Sequence, residues 1–275
     1  MSTAARSWWG RSSRHPRLGL AGAAMVCLLW PSLLVGQATD AAAAAGQQKA
    51  RAALAATIQA LGGQAWLNIH TSRDHVRMAA FFQGNPTGEV ADAVISRELP
   101  GKERIESDKA KVVQIFSGSS GWEITYKGKK GLPAEQVDDH LRWEKYSLRM
   151  VLGQWAGDPA TALLDEGTVQ VERHLAEKIT LMNAANDAVT LEVDAASHLP
   201  LRLSFAWRDR RFHDKNIDAV EYDSYHRIGG IATPFTVTRT HNGEIVLQEF
   251  LLRAEYNIAL PKNLFDPDYA AAHLK

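Results

Sequence analysis

Few residue combinations in this 275-residue chain have the types and spacing for chemistry. Ser119 and Ser120 lie in Gly-Ser-Ser-Gly, residues 118–121, just before Trp122. A nucleophilic serine in G-x-S-x-G needs a sharp strand-to-helix turn that lifts its hydroxyl above a sheet. Here the serines fall between two runs rich in β-branched and aromatic residues, so the spacing predicts a hairpin turn. Asp138, Asp139 and His140 are metal-ligand types in sequence. On a helix, however, adjacent residues point apart and cannot share one ion. The ten histidines are dispersed, with no H-E-x-x-H pair and no calcium loop. Arg208, Arg210 and Arg211 form a small basic cluster that reads as exposed strand ends. Trp66, Trp122, Trp143, Trp155 and Trp207 read as core or interface anchors. Gly62-Gly63 follows a helical pattern, whereas phosphate-cradling glycines precede a helix. The expectation is a non-enzymatic protein with no metal and no cofactor.

Composition narrows the class. Apolar residues make up 45% and charged residues 23%, as in a globular chain. Lys+Arg and Asp+Glu are equal at 31 each, which argues against a strongly basic nucleic-acid binder. Cys27 is the single cysteine, so no intrachain disulfide or multi-cysteine metal site can form. Arg6, Arg11, Arg14 and Arg17 precede an apolar run from Leu18 to Val35, interrupted by Pro31 and followed by Gly36-Gln37-Ala38. A basic start, a short apolar middle and a small-residue exit describe a secretory signal. Residues 1–38 are therefore expected to be a signal peptide cut near Ala38; a cut within 41–45 and an uncleaved anchor are the other outcomes. Val26 before Cys27, and the apolar residues after it, do not suit a lipidation site. Losing residues 1–38 takes away four arginines and no acid, so the mature chain carries about −4. It is expected to be exported, to the periplasm, as one domain spanning 39–275.

The elements follow from periodicity. Residues 39–46 are Ala-rich and read as frayed. A helix over 47–61 places Leu54, Ile58 and Leu61 on one stripe and ends at Gly62-Gly63. Strands are expected at 75–83, 90–98, 103–107, 111–117, 122–127, 168–174, 177–183, 188–194, 200–207, 218–226, 231–240 and 244–256. Asn242-Gly243 is the strongest turn signal and favours a type I′ hairpin. Across it Phe235 should oppose Phe250, with Val237 and Val246 on the same face. Short turns throughout predict an antiparallel meander, and about eleven strands in a row should curl. One helix over 133–155 interrupts them, with Val137, Leu141, Leu148, Leu152 and Trp155 along one face. The fold class is thus mainly β with helices (α+β). It is a strongly curved antiparallel sheet whose concave face the helices cover.

The order of several local phrases resembles the periplasmic lipoprotein carriers of the LolA/LolB type and their RseB-type relatives. The phrases are Ala60-Leu-Gly-Gly63, Pro100-Gly-Lys-Glu-Arg104, Phe116-Ser-Gly-Ser-Ser-Gly-Trp122, Val193-Asp-Ala-Ala-Ser-His-Leu-Pro200 and Ile228-Gly-Gly-Ile-Ala-Thr-Pro234. The late stretch Asn257-Ile-Ala-Leu-Pro-Lys-Asn-Leu-Phe265-Asp-Pro267 is similar to that group's closing strands. The resemblance implies an unclosed β-barrel with a helical lid over an apolar cavity, which in the best-known members accepts the acyl chains of lipoproteins. It carries over no individual functional residue. On this reading the apolar cavity and lid would be lined by Phe81, Ile115, Val137, Leu141, Leu148, Leu152, Phe235 and Phe250. Burying one methylene contributes about 0.8 kcal/mol, so a single long acyl chain offers on the order of 10 kcal/mol before ordering costs. The function expected is a periplasmic carrier or binder of an acyl chain, a lipidated protein or another hydrophobic ligand. The alternative is an envelope sensor or interaction module of the same fold that contacts a membrane-protein partner.

Overall fold

Alternating burial along successive strands builds one large antiparallel sheet in the computed structural model, which describes residues 32–107, 111–209 and 211–274. The chain divides into residues 1–41 and 42–275. Of the first unit, the described residues are the start of helix α1 (Ser32–Leu61). The basic start and most of the apolar run of the expected export signal, residues 1–31, lie outside the described residues. Among the described residues no helix is long and apolar enough to cross a membrane.

The sheet has thirteen strands. They are β1 (Thr71–Phe82), β2 (Asn85–Glu98), β3 (Lys102–Ser107), β4 (Val112–Ser117), β5 (Ser120–Thr125), β6 (Gly128–Gly131), β7 (Ala162–Val171), β8 (His174–Met182), β9 (Ala188–Asp194), β10 (Pro200–Arg208), β11 (Lys215–Ile228), β12 (Ile231–His241) and β13 (Glu244–Tyr256). Sequence neighbours pair throughout except at one place. Strand β1 pairs with β13, so β6 and β7 become the two free edges of an open half-barrel. The segment joining β6 to β7 must therefore travel from one edge to the other. It carries α3 (Ala134–Lys145), α4 (Leu148–Gly153) and a 3-10 turn at Trp155–Gly157, and these form the lid.

The expected single helix over 133–155 is broken. Ser147 adopts an extended conformation (φ −64°, ψ 152°) and its side chain accepts a hydrogen bond from the Met150 amide, which starts a new helix. The break lets the Tyr146 ring enter the core, stacked on Phe205 at 4.3 Å and edge-on to Trp155 at 5.9 Å. Helix α1 runs on through the Ala-rich segment expected to fray, as high alanine propensity allows. It stops at Gly62 (φ +133°), where a Cβ would lie 3.2 Å from the Gly230 carbonyl oxygen; the close approach requires glycine there.

The main core lies on the β7–β10 side. Leu181, Val189, Leu191, Val193 and Leu203 are completely buried there, under Leu54, Leu61, Val151 and Leu152 of the helices. A second cluster lies on the outer face of β4 and β5. The chain after β13 does not add the expected closing strand. It crosses that outer face and ends in helix α5 (Pro267–His273), burying Phe265 and Ala270 against Val113, Ile115 and Ile124. Asp266 caps α5 by accepting from the Asp268 and Tyr269 amides, with Pro267 in its first turn.

Candidate functional site

Side chains two apart on a strand share a face, and pairing across β1, β2, β12 and β13 shows which residues face the lid. Val76 opposes Ala93 on one side and Leu251 on the other. Asp74 opposes Ile95, and Arg97 opposes Glu103. Of these, Asp74, Val76, Ile95, Arg97 and Leu251 form the floor of a cavity of about 260 Å3, roofed by Trp143, Tyr146 and Ser147 at the α3–α4 junction. Its middle is apolar, with Val76, Ile95, Val220, Val237 and Leu251. Charged groups stand on both sides of this middle: Asp74 and Arg97 on β1–β2, Arg239 and Glu249 on β12–β13.

The charged groups are tightly paired. Arg97 donates through Nη1 to Asp74 Oδ2 at 2.6 Å and through Nε to Glu103 Oε2 at 2.6 Å. Behind Glu103 stands His140 of α3, Nδ1 3.6 Å from Oε1, its ring stacked on Phe116 at 3.8 Å. Arg239 pairs with Glu249 at 3.3 Å and lies over the Trp143 ring at 5.1 Å. Burial pushes the Asp74 carboxyl above the usual range, only partly offset by Arg97. Burial also works to raise Glu103, but Arg97 and then His140 outweigh it, and Glu103 is held below its ordinary value. Burial lowers the His140 pKa, only partly offset by Glu103. Burial likewise raises the Tyr222 and Tyr256 hydroxyls. The Tyr256 hydroxyl shares a hydrogen bond with Thr233 at 2.9 Å.

A second, shallower cavity of about 390 Å3 lies beside the 118–121 turn, between β5 and α3. Val137 and Leu141 line it together with Ser119, Ser120 and Trp122. Gly121 sits where a Cβ would meet Leu132 at 3.0 Å and Phe116 and Val137 at 3.1 Å, so its bare backbone lets α3 settle on the sheet. The serines occupy the expected hairpin turn, with Ser117 paired to Ser120.

The other residues singled out in the sequence lie apart from one another. Leu152 is buried in the main core and Leu148 packs against that core. Ile115 is completely buried on the outer face under the C-terminal tail. Phe250 opposes Arg77 and Thr236, one residue out of phase with Leu251, and so faces away from the cavity. Phe81 sits half-buried near the β1–β2 tip, opposite Pro86. Phe235 packs edge-on against His226 at 4.6 Å. The hairpin register explains part of this. The Asn242-Gly243 turn forms as expected, with both φ values positive, but a bulge between Arg239 and Thr240 shifts the pairing. Phe250 then faces Thr236 rather than Phe235. Sequence reasoning missed Asp74, Arg97, Glu103, Arg239 and Glu249. Their available signal was parity: Asp74 shares a strand face with Val76, and Arg97 with Ile95. Among the described residues no group of three or more His, Cys, Asp or Glu is placed to hold a metal ion.

No family model matches the sequence, and no curated protein matches it. Solved structures do match in shape. An outer membrane lipoprotein-sorting protein domain from Vibrio parahaemolyticus superposes with a TM-score of 0.53 at 12% identity, covering 81% of this chain and 98% of that one. A DUF1329 family protein from Desulfovibrio piger gives 0.54 at 11% identity, over 79% and 97%. A LolA superfamily protein from Nitrosomonas europaea gives 0.48 at 12% identity, over 80% and 98%. The chain has the LolA/LolB-like fold, an open antiparallel half-barrel with a helical lid.

Proposed function

We propose that this protein is a non-catalytic binder of a hydrophobic or lipidated ligand, which it holds between the concave face of the sheet and the α3–α4 junction. The observation that carries the reading is the cavity itself: apolar walls from β1, β2, β11, β12 and β13, left unfilled beneath the lid. A protein that only needed a core would fill that space, as it does on the β7–β10 side. Its fold is shared with a lipoprotein-sorting domain, which supports the same reading. The N-terminal sequence supports export, so the ligand would be met outside the cytoplasm, where the protein would carry it or display it to an envelope partner.

The cavity is smaller than the roughly 300–1,000 Å3 of ordinary ligand sites. A long acyl chain would therefore need the Tyr146–Ser147 roof to move outward. The helix break at Ser147 is the natural place for that movement, because only a short cap joins α3 to α4. Native mass spectrometry of the purified protein, with titration of Nile red, tests the reading. Retained lipid, or saturable dye binding that a lipid displaces, is expected. Neither retained lipid nor displaceable dye would overturn it. A stoichiometric protein partner captured without lipid would favour an interaction module instead.

A further inference from the structure

Several hydroxyl groups line the cavity, and most already have partners. Tyr146 donates to Asp187 Oδ1 at 2.9 Å, Ser147 accepts from the Met150 amide at 3.3 Å, and Thr233 and Tyr256 share a bond at 2.9 Å. Tyr222 is the exception. Among the described residues no group hydrogen-bonds its hydroxyl, which is also not one of the unpaired polar atoms closed to solvent. The oxygen therefore borders space that a water-sized group can enter. Two observations place that space in the cavity. Tyr222 opposes Val237 across β11 and β12, and both line the cavity wall together with Val220, which shares a strand face with Tyr222. The Tyr222 hydroxyl also feels the charges of Arg239 and Glu249, which line the same wall. Burial raises its pKa, so the phenol keeps a proton to donate.

The charges that line the cavity cancel, Asp74 and Glu249 against Arg97 and Arg239. An ionised head of either sign would bring an unmatched charge into a site partly withdrawn from water, which is costly. A neutral head with an acceptor oxygen adds no charge and satisfies the phenol. Resting on the binder reading above, we propose that the Tyr222 hydroxyl donates to the carbonyl oxygen of a neutral acyl ester or amide, whose hydrocarbon lies over Val220, Val237 and Leu251. Tyr222 then determines specificity, separating a carbonyl-bearing ligand from plain hydrocarbon of the same length.

The experiment uses the full-length protein and three competitors of Nile red: methyl decanoate, decyl methyl ether, which lacks only the carbonyl oxygen, and ionised decanoate. Tyr222→Phe removes the hydroxyl and keeps the ring. It is expected to weaken the ester relative to the ether by about three- to tenfold, the net worth of one hydrogen bond. In the native protein decanoate is expected to compete about tenfold or more below the ester, because its charge is unmatched. An ester-to-ether ratio that Tyr222→Phe leaves unmoved, or decanoate matching the ester, overturns this proposal and, with dye still bound, leaves the binder reading standing. Failure of the dye to bind overturns both. If Tyr222→Phe does not fold, the infrared band of methyl decanoate isotope-labelled at its carbonyl carbon decides on the native protein. A band at lower frequency than in hexane is expected, and an unshifted band overturns the proposal.

Discussion

Replacing Arg97 by methionine should leave two carboxylates facing each other inside the cavity wall. In the intact protein the guanidinium holds Asp74 and Glu103 at 2.6 Å each, and these three side chains are 25%, 15% and 17% exposed. At a charge separation of about 4 Å and an effective dielectric of about 20, each pair is worth about 4 kcal/mol before desolvation. Desolvation offsets much of that gain, but removing one partner of a buried pair still costs about 3–5 kcal/mol, because the remaining charge is stranded. With roughly 2–4 °C per kcal/mol in a domain of this size, the midpoint should fall by about 6–20 °C. The pH dependence gives a sharper check. Without Arg97, burial raises both carboxyls above their unfolded values near 4. A raised carboxyl destabilises when ionised, and stability returns as pH falls through its folded pKa. The deficit of Arg97→Met should therefore shrink between about pH 7 and pH 5, read by urea unfolding followed by circular dichroism. In the native protein Glu103 runs the other way. Its pKa is lowered, so its contribution is present above the unfolded value and is lost on acidification. A deficit under about 1 kcal/mol at neutral pH, or one that grows on acidification, would refute the paired-network argument. Adding Asp74→Asn and Glu103→Gln to Arg97→Met should restore most of the loss.

Two further outcomes concern the scaffold. Gly121→Ala should destabilise by about 1–3 kcal/mol through overpacking against Leu132, Phe116 and Val137. Gly131→Ala, with nothing within 4 Å, should stay within about 0.5 kcal/mol; similar losses for both would show that the α3 seat is not the cause. Asp194 accepts from the Ser197 amide at 2.6 Å and the Ser197 hydroxyl at 2.7 Å. Burial pushes its carboxyl up, but these bonds and His174 outweigh it, and the pKa is lowered. Its stabilisation is present above the unfolded value near 3.9 and fades as pH falls through the folded value. Asp194→Asn should thus cost about 1–3 kcal/mol at neutral pH, with the gap closing as pH falls below the unfolded value in urea titrations; a pH-independent gap would contradict this.

Much of the architecture was legible residue by residue. The strands over 188–194 and 244–256 have the bounds that alternation and turn residues predict. Polar inward positions hid the start of β1, because Ser72 and Asp74 interrupt the apolar parity from which a strand is read. Strand β6, Gly-Lys-Lys-Gly, has no β-forming side chain to announce it and exists because β5 offers it a ladder. Helix α5 left a usable signal, an Asp266-Pro267 cap, outweighed by the resemblance of the preceding stretch to a closing strand. The break at Ser147 was marked in the same way, by a capping residue inside a continuous apolar stripe.

The cavity was a different matter. Period-two alternation and turn chemistry act over a few residues, so the chain alone establishes that this is a curving antiparallel meander with amphipathic helices. Which face of a strand looks inward depends on bulges, and those between His75 and Val76 and between Arg239 and Thr240 leave little trace in composition. Each reverses the phase of the residues beyond it, which is why Phe250 lies outside the cavity and Leu251 inside. The pairing of β1 with β13 brings Asp74 and Glu249 into one cavity wall from opposite ends of the sequence. Such a contact is favourable only after the intervening chain has folded, because it sums hydrogen bonds and burial over residues that no local pattern connects.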